Sequence, residues 1–457
     1  MPPGAPPTLT GMDEAQLRTN LTQVMPGIRA DLAELIRIPS VWALPEHRDD
    51  VHRSAQAVAQ LLRDAGFAEV DVVSEGGAPA VIAHHPAPSG APTVLLYAHH
   101  DVQPTGDPAA WTSAPFEPTE RGERLYARGA ADDKAGIAAH LAAFRAHGGT
   151  PPVGVTVFVE GEEESGSPSL LRLLDAHHDR LAADVIVIAD SANWDIGIPA
   201  LTVSLRGLAD CVVEVRTLEH AVHSGLWGGV VPDALTALCR LLATLHHEDG
   251  SVAVAGLGQS TAADIDYPDE RVRAESSMLD GVAQLGAGSV VSRLWNGPAV
   301  AVLGIDAPTV AAASNTLVPV ARAKVSLRVP PGTDASVALR ALTEHLRSHA
   351  PWGAHVSVTA GETGQPCAID ATGPAYDAAR ASFRDAWDGT EPVDMGMGGS
   401  IPFIAEFVKA FPDASVLVTG VEDPDTRAHG IDEGLHLAEF ERVCLAETLL
   451  LARLARP

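Results

Sequence analysis

Four short apolar runs, each leading into histidine or carboxylate, constrain this chain more than any other feature of its sequence. Residues 94–97 run into Ala98-His99-His100-Asp101, residues 153–159 into Glu160-Gly161-Glu162-Glu163-Glu164, and residues 185–189 into Asp190. Residues 415–419 lead to a polar loop that carries His429. Between these runs, segments 53–65, 135–147 and 167–179 place apolar residues at helical spacing. Alternation of this kind predicts an α/β fold, a mostly parallel sheet covered by helices on both faces. In open sheets, ligands gather beyond the carboxyl ends of the strands. The acids and histidines are therefore expected to converge on one edge of the sheet.

The rhythm changes near residue 208. Residues 208–216, 299–305, 318–329 and 355–359 read as strands, while 233–246 and 334–349 read as amphipathic helices. That order, β-α-β-β-α-β, predicts a ferredoxin-like α+β module, with 248–296 as an irregular excursion from it. A helix at 376–386 and the run at 415–419 then resume the first pattern. A chain of 457 residues is long enough for more than one core. The expected organisation is a first part at 1–205, with 1–11 a loose Pro-rich tail, an insert at 206–366, and the rest of the first domain at 367–457.

Composition limits the partners. A net charge of -28, from 59 acidic against 31 basic residues, argues against nucleic acid and anionic membrane surfaces. No apolar run approaches the ~18 residues of a membrane span, and residues 1–11 lack the basic and apolar regions of an export signal. Cys211, Cys239, Cys367 and Cys444 are scattered, with no C-x-x-C spacing. They suggest neither a disulfide framework nor a thiolate metal site, so a cytoplasmic location is expected.

Taken singly, the polar pieces are unremarkable. A His-x-Asp pair is commonly a hydrogen-bonded turn, three glutamates in a row a solvated loop, and Asp132-Asp133 a favourable charge at a helix start. Their joint arrival at strand ends is harder to explain without shared chemistry. Two divalent metals ~3.5–4 Å apart can share a bridging carboxylate and a water, and each needs further His or carboxylate ligands. A separate carboxylate must carry the proton from water to the leaving group. Glu163 and Glu164 are adjacent and suited to dividing those two tasks. Asp101, two residues after His99, is placed to receive the proton of its second ring nitrogen.

The motifs extend this reading. Tyr97-Ala98-His99-His100-Asp101-Val102-Gln103-Pro104, Arg128-Gly129-Ala130-Ala131-Asp132-Asp133-Lys134 and Glu160-Gly161-Glu162-Glu163-Glu164-Ser165-Gly166-Ser167 occur in that order. His223-Ser224-Gly225-Leu226-Trp227-Gly228-Gly229 and Gly398-Gly399-Ser400-Ile401-Pro402 follow. Together they resemble the M20 metallopeptidases, in particular the dipeptidase branch that includes carnosinase-like enzymes, from about residue 30 to the C-terminus.

The resemblance implies metal-dependent hydrolysis of dipeptides. Asp132 would bridge two divalent metals, with His99 and Asp190 completing one site and Glu164 and His429 the other. Zinc is the first expectation, and manganese or cobalt also suits such ligands. Glu163 would be the general base, Asp101 the partner of His99, and the peptide after Asp132 cis. The insert would be a lid that also forms a homodimer interface. On it, His223 would stabilise the oxyanion, Asn315 would lie near the substrate, and Arg328 would grip its carboxylate. Gly398, Gly399 and Ser400 would add backbone donors to that carboxylate.

Some positions depart from the family pattern. Ala98 stands where Gly is usual, His100 where Tyr is expected, and Ala135 where Gly often follows the lysine. Gly396-Met397 replaces charged residues found in carnosinase-like relatives, which points to a bulkier or more apolar substrate side chain. An N-acyl-amino-acid deacylase or desuccinylase would use the same ligands, and a non-catalytic metal-binding relative would not need Glu163. No Gly-x-Ser-x-Gly elbow supports a serine hydrolase.

Overall fold

The computed structural model describes residues 13–259, 265–399 and 402–455. The chain divides into two compact units. The first takes the residues up to Val203, Asp370–Met395, and the chain from Glu406 onward; the second takes Ser204–Ile369 and Gly396–Ala405.

In the first unit, strand Thr93–His99 lies parallel to Gly154–Glu160 on one side and to Val185–Ile188 on the other. Ser415–Val418 runs parallel to Val185–Ile188 on its far edge. These are the four strands whose ends the sequence marked. Register aligns those ends, pairing His99 with Glu160, Tyr97 with Ile188, and Ile188 with Val418. Every residue of Gly154–Glu160 and of Val185–Ile188 is buried. Apolar runs without alternation are what strands covered on both faces require. Antiparallel neighbours make the sheet mixed: Ala80–His85 pairs with Gly154–Glu160, Glu69–Val73 pairs with Ala80–His85, and Thr202 pairs with Val418.

Helix Lys134–Ala146 is buried at every position except Arg145, as a helix apolar on all sides must be. Its first residue, Lys134, is enclosed as well, and its Nζ donates to the carbonyls of Leu35 and Ile38 at 2.8 Å each. Two long helices escaped the sequence reading. Glu14–Ile36 buries Leu17, Leu21, Met25, Ile28, Leu32 and Leu35 at helical spacing, and Leu437–Leu454 closes the unit. The helix expected at 167–179 is two pieces, Leu170–Ala176 and His178–Leu181. Among the described residues, no helix is long and apolar enough to cross a membrane.

The second unit is built on an antiparallel sheet ordered Ala299–Asp306, Val320–Val329, Gly207–Arg216, His355–Gly364. Alternate residues Ala209, Cys211, Val213 and Val215 point into a core with Leu238, Leu241, Leu342 and Leu346. Those leucines come from helices Ala234–Ala243 and Ala335–Ser348. Aspartates cap both helices: Asp233 accepts the Thr236 N–H, and Asp334 those of Ser336 and Val337. The strand and helix order is the split βαβ expected from the sequence. The excursion holds a short helix, Asp269–Ser276, and a π-helical turn, Ser292–Asn296.

Candidate metal centre

His99 ends its strand fully buried, with its Nε2 facing three carboxylates. Asp132 Oδ1 lies at 3.1 Å, Asp190 Oδ1 at 3.8 Å and Glu163 Oε2 at 4.0 Å. The other oxygen of Asp132, Oδ2, is 2.9 Å from Nε2 of His429, which is also 3.0 Å from Glu164 Oε2. One carboxylate is thus shared between two imidazoles, and each imidazole has a further acid of its own. Two groups whose ligand atoms lie mutually within 4.8 Å result: His99, Asp132 and Asp190, and Asp132, Glu164 and His429.

The surrounding chain fixes these side chains. The peptide between Asp132 and Asp133 is cis, and Asp133 Oδ2 accepts the His99 backbone N–H at 3.1 Å. His99 Nδ1 is 3.0 Å from the carbonyl of Asp101 and 3.5 Å from its carboxylate. That carboxylate instead accepts the backbone N–H groups of Glu163 and Glu164. Gln103 holds Glu164 through its backbone N–H to Oε1, at 3.1 Å, and its side-chain amide to Oε2, at 2.8 Å.

The three consecutive glutamates part ways. Glu162 accepts the backbone N–H groups of Ser169, at 2.7 Å, and Ala78, at 3.0 Å, so it fastens the turn. Glu163 and Glu164 face the centre. Two further acids had no signal in the sequence. Glu433, fully buried, pairs with Arg128 at 2.6 Å and accepts the N–H groups of Gly129, Ala131 and Asp132. Glu422, whose backbone bridges to Ala192 just past Asp190, is pushed well up by burial and by the charges of Asp132 and Asp190.

Electrostatics of the cluster are dominated by crowding. Burial and the neighbouring charge of Asp190 push Glu163 well above the usual carboxylate range, and burial with Asp132 raises Glu164. Burial pushes Asp190 up to about 7, with Asp132 adding to the shift. Burial also opposes the charge on Asp132, but hydrogen bonds from His429 and His99 outweigh it and hold that acid low. The same bonds to Asp132 and Glu164 push His429 up to about 11. Acids that resist ionising together call for cations of higher charge than imidazolium. Two imidazole nitrogens and three carboxylates form a donor set that divalent metals accept.

The remaining residues singled out in the sequence belong to the second unit. His223 is exposed, and its Nδ1 accepts the Gly225 N–H at 3.0 Å, which leaves the proton on Nε2. The Asn315 carbonyl accepts the Ser224 N–H at 2.9 Å, so Asn315 flanks the short pairing of Val222–His223 with Thr316–Leu317. Arg328 is half-buried on Val320–Val329. Gly398 packs against Arg206, whose Nη2 would lie 2.7 Å from a Cβ there, whereas a Cβ on Gly399 would meet nothing. Ser400 lies outside the described residues. At Gly396 a Cβ would meet Trp295 at 2.5 Å and Ser204 at 2.8 Å, so local packing explains why no charged side chain stands there.

Known proteins resemble this chain along most of its length. The profile of peptidase family M20/M25/M40 matches residues 95–453. A cysteinylglycine-S-conjugate dipeptidase of Corynebacterium striatum is 38% identical over 444 residues, which is 95% of this chain and 97% of that protein. Human Beta-Ala-His dipeptidase is 28% identical over 88% of this chain and 84% of its own length. Among solved structures, the di-peptidase Dug1p of Saccharomyces cerevisiae superposes with a TM-score of 0.79 at 22% identity, covering 97% of this chain and 99% of that one. Human carnosine dipeptidase 1 gives 0.75 at 24%, covering 97% and 100%. The chain belongs to peptidase family M20/M25/M40.

Proposed function

We propose that this chain is a dipeptidase that activates water between two divalent metals, zinc in the first instance. The sharing of the Asp132 carboxylate between the His99–Asp190 and Glu164–His429 groups carries this reading. Metals held there would lower the pKa of a shared water and polarise the amide carbonyl. Glu163, whose Oε2 lies 4.0 Å from His99 Nε2, is a carboxylate that neither ligand group includes. It takes the proton of the attacking water and delivers it to the leaving amine. His223, with its proton on Nε2, donates to the oxyanion, and Asn315 adjoins it. Arg328 and the Gly398–Gly399 turn, with Ser400, receive the substrate carboxylate.

The 38% identical relative is a cysteinylglycine-S-conjugate dipeptidase, so S-substituted cysteinylglycines are the first substrates to try, beside β-alanyl-histidine. Homodimerisation through the second unit fits its exposed edge strand Ala299–Asp306, which presents Val302, Leu303 and Ile305 to solvent. A cytoplasmic location fits the scattered cysteines. The decisive measurement is turnover of a dipeptide panel, against N-acetyl and N-succinyl amino acids, by wild type and Glu163→Gln. The variant should lose more than ~10³-fold in kcat with both metals retained. Near-normal turnover removes Glu163 from its role, and cleavage of the acyl amino acids alone makes the enzyme a deacylase.

A further inference from the structure

The second unit contains a cavity that the metal chemistry does not use. It measures about 440 Å³, within the range of small-molecule sites. Val252, Leu257, Val272, Met278 and Leu285 give it apolar walls, and Arg206, Arg293 and His246 are its titratable groups. Among the described residues, no Asp or Glu lines it. In a chain with 59 acidic and 31 basic residues, that exclusion is a local reversal of charge.

Arg206 is only 8% exposed. Its Nε donates to the Gly398 carbonyl at 3.1 Å, and its Nη1 makes long contacts to the carbonyls of Gly297, 3.4 Å, and Arg293, 3.5 Å. Among the described residues, nothing accepts from Nη2 and no carboxylate pairs with the guanidinium. Burial, with repulsion from Arg328, lowers the Arg206 pKa to about 10. Arg293 is committed elsewhere, its two terminal nitrogens donating to Leu285 O at 2.6 Å and Gln284 Oε1 at 2.8 Å, so it braces the wall. A buried cation without a counter-charge is costly, and a carboxylate opposite its fork relieves that cost.

We propose that this cavity binds an aliphatic carboxylate of medium chain length, its head on Arg206 and its tail along Val252, Leu257, Val272 and Met278. A compact dianion would meet one seat and a long apolar wall, which does not suit it. An aliphatic monoanion matches both halves, since the tail gains from burial what the head needs for ordering.

The test is equilibrium dialysis of octanoate against the metal-loaded enzyme, with acetate and octanol as the single-feature controls. Because carboxylates also bind metals, the measurement is repeated after chelation. Saturable octanoate binding is expected, at least about tenfold tighter than either control. It should survive metal removal and weaken by about tenfold or more in both Arg206→Met and Met278→Glu. Met278 is half-buried on the excursion, so that variant decides the matter if Arg206→Met does not fold. Absence of saturable binding at millimolar octanoate overturns the proposal. So does binding that chelation abolishes, or that Met278→Glu leaves unchanged.

Discussion

The carboxylate of Asp101 accepts the backbone N–H of Glu163 at 3.1 Å. A second bond, from the Glu164 N–H at 3.2 Å, makes this one acid the anchor for both the general base and a metal ligand. From its place in the sequence, Asp101 was expected to orient His99; here its carbonyl oxygen meets Nδ1 while its carboxylate organises the glutamate turn. Asp101→Ala should therefore lower kcat by ~10–100-fold, with weaker binding at the Glu164–His429 site. Asp101→Asn keeps an acceptor oxygen and should recover part of the loss. Steady-state kinetics beside metal titration would show this, and normal turnover in Asp101→Ala would remove the turn from the mechanism.

Glu433 stabilises the loop that presents Asp132 from behind. It is completely buried, and its partner Arg128 is 1% exposed, so removing its charge leaves a guanidinium stranded in the interior. Breaking a buried pair on one side costs ~3–5 kcal/mol, far more than the pair contributes relative to apolar residues of the same shape. Glu433→Gln should lower urea-unfolding stability by about that amount. A change below ~1 kcal/mol would mean that the three backbone N–H bonds, which an amide oxygen retains in part, suffice by themselves.

How far the sequence revealed this site depends on what kind of local rule each residue obeys. His99, Glu163, Glu164 and Asp190 were legible because a parallel strand delivers whatever follows it to one edge of the sheet. The split of labour within Glu162, Glu163 and Glu164 was not legible from spacing: it depends on Ser169 and Ala78 drawing Glu162 away, a contact between distant segments. His429 sits in a loop where Arg427, His429 and Asp432 all adopt left-handed backbone, with φ of 56°, 61° and 58°. Such conformations are uncommon outside glycine and follow no hydrophobic period. Its loop could be placed after a strand end, but the direction of its imidazole could not. Glu433 illustrates the same limit, since a charged residue in a polar loop gives no sign that its partner, Arg128, is buried three hundred positions away.

His100 supplies a pH dependence. Burial pushes its imidazole down to about 4, against an ordinary value of 6.5, with Nε2 2.9 Å from the Pro79 carbonyl and Nδ1 without a partner among the described residues. Between those values the unfolded chain binds a proton that the folded chain refuses, so stability rises with pH through this window. The contribution is complete above pH 6.5 and is lost as pH falls toward 4, by about 3 kcal/mol in all. His100→Gln should remove that part of the acid sensitivity. Urea unfolding of metal-stripped protein at a series of pH values, where ligand release cannot contribute, would show the two curves converging as pH falls. Parallel curves would contradict the assignment.

The division of Asp132 between two imidazoles makes a sharper demand, because it predicts a count. Asp190 belongs only to the His99 group, and Glu164 and His429 only to the other, whereas Asp132 belongs to both. Asp190→Ala should therefore retain one tightly bound metal, as should Glu164→Ala or His429→Ala, but in the opposite site. Asp132→Ala should weaken both, since neither imidazole keeps the oxygen that faces it at 2.9 or 3.1 Å. Metal content after exhaustive dialysis, measured on each variant, gives the stoichiometry directly. If Asp132→Ala loses a single metal, the carboxylate does not bridge. If Asp190→Ala and Glu164→Ala each lose both, the two sites fill only as a pair, and the independent ligand sets drawn from the geometry would have to be merged into one cooperative centre.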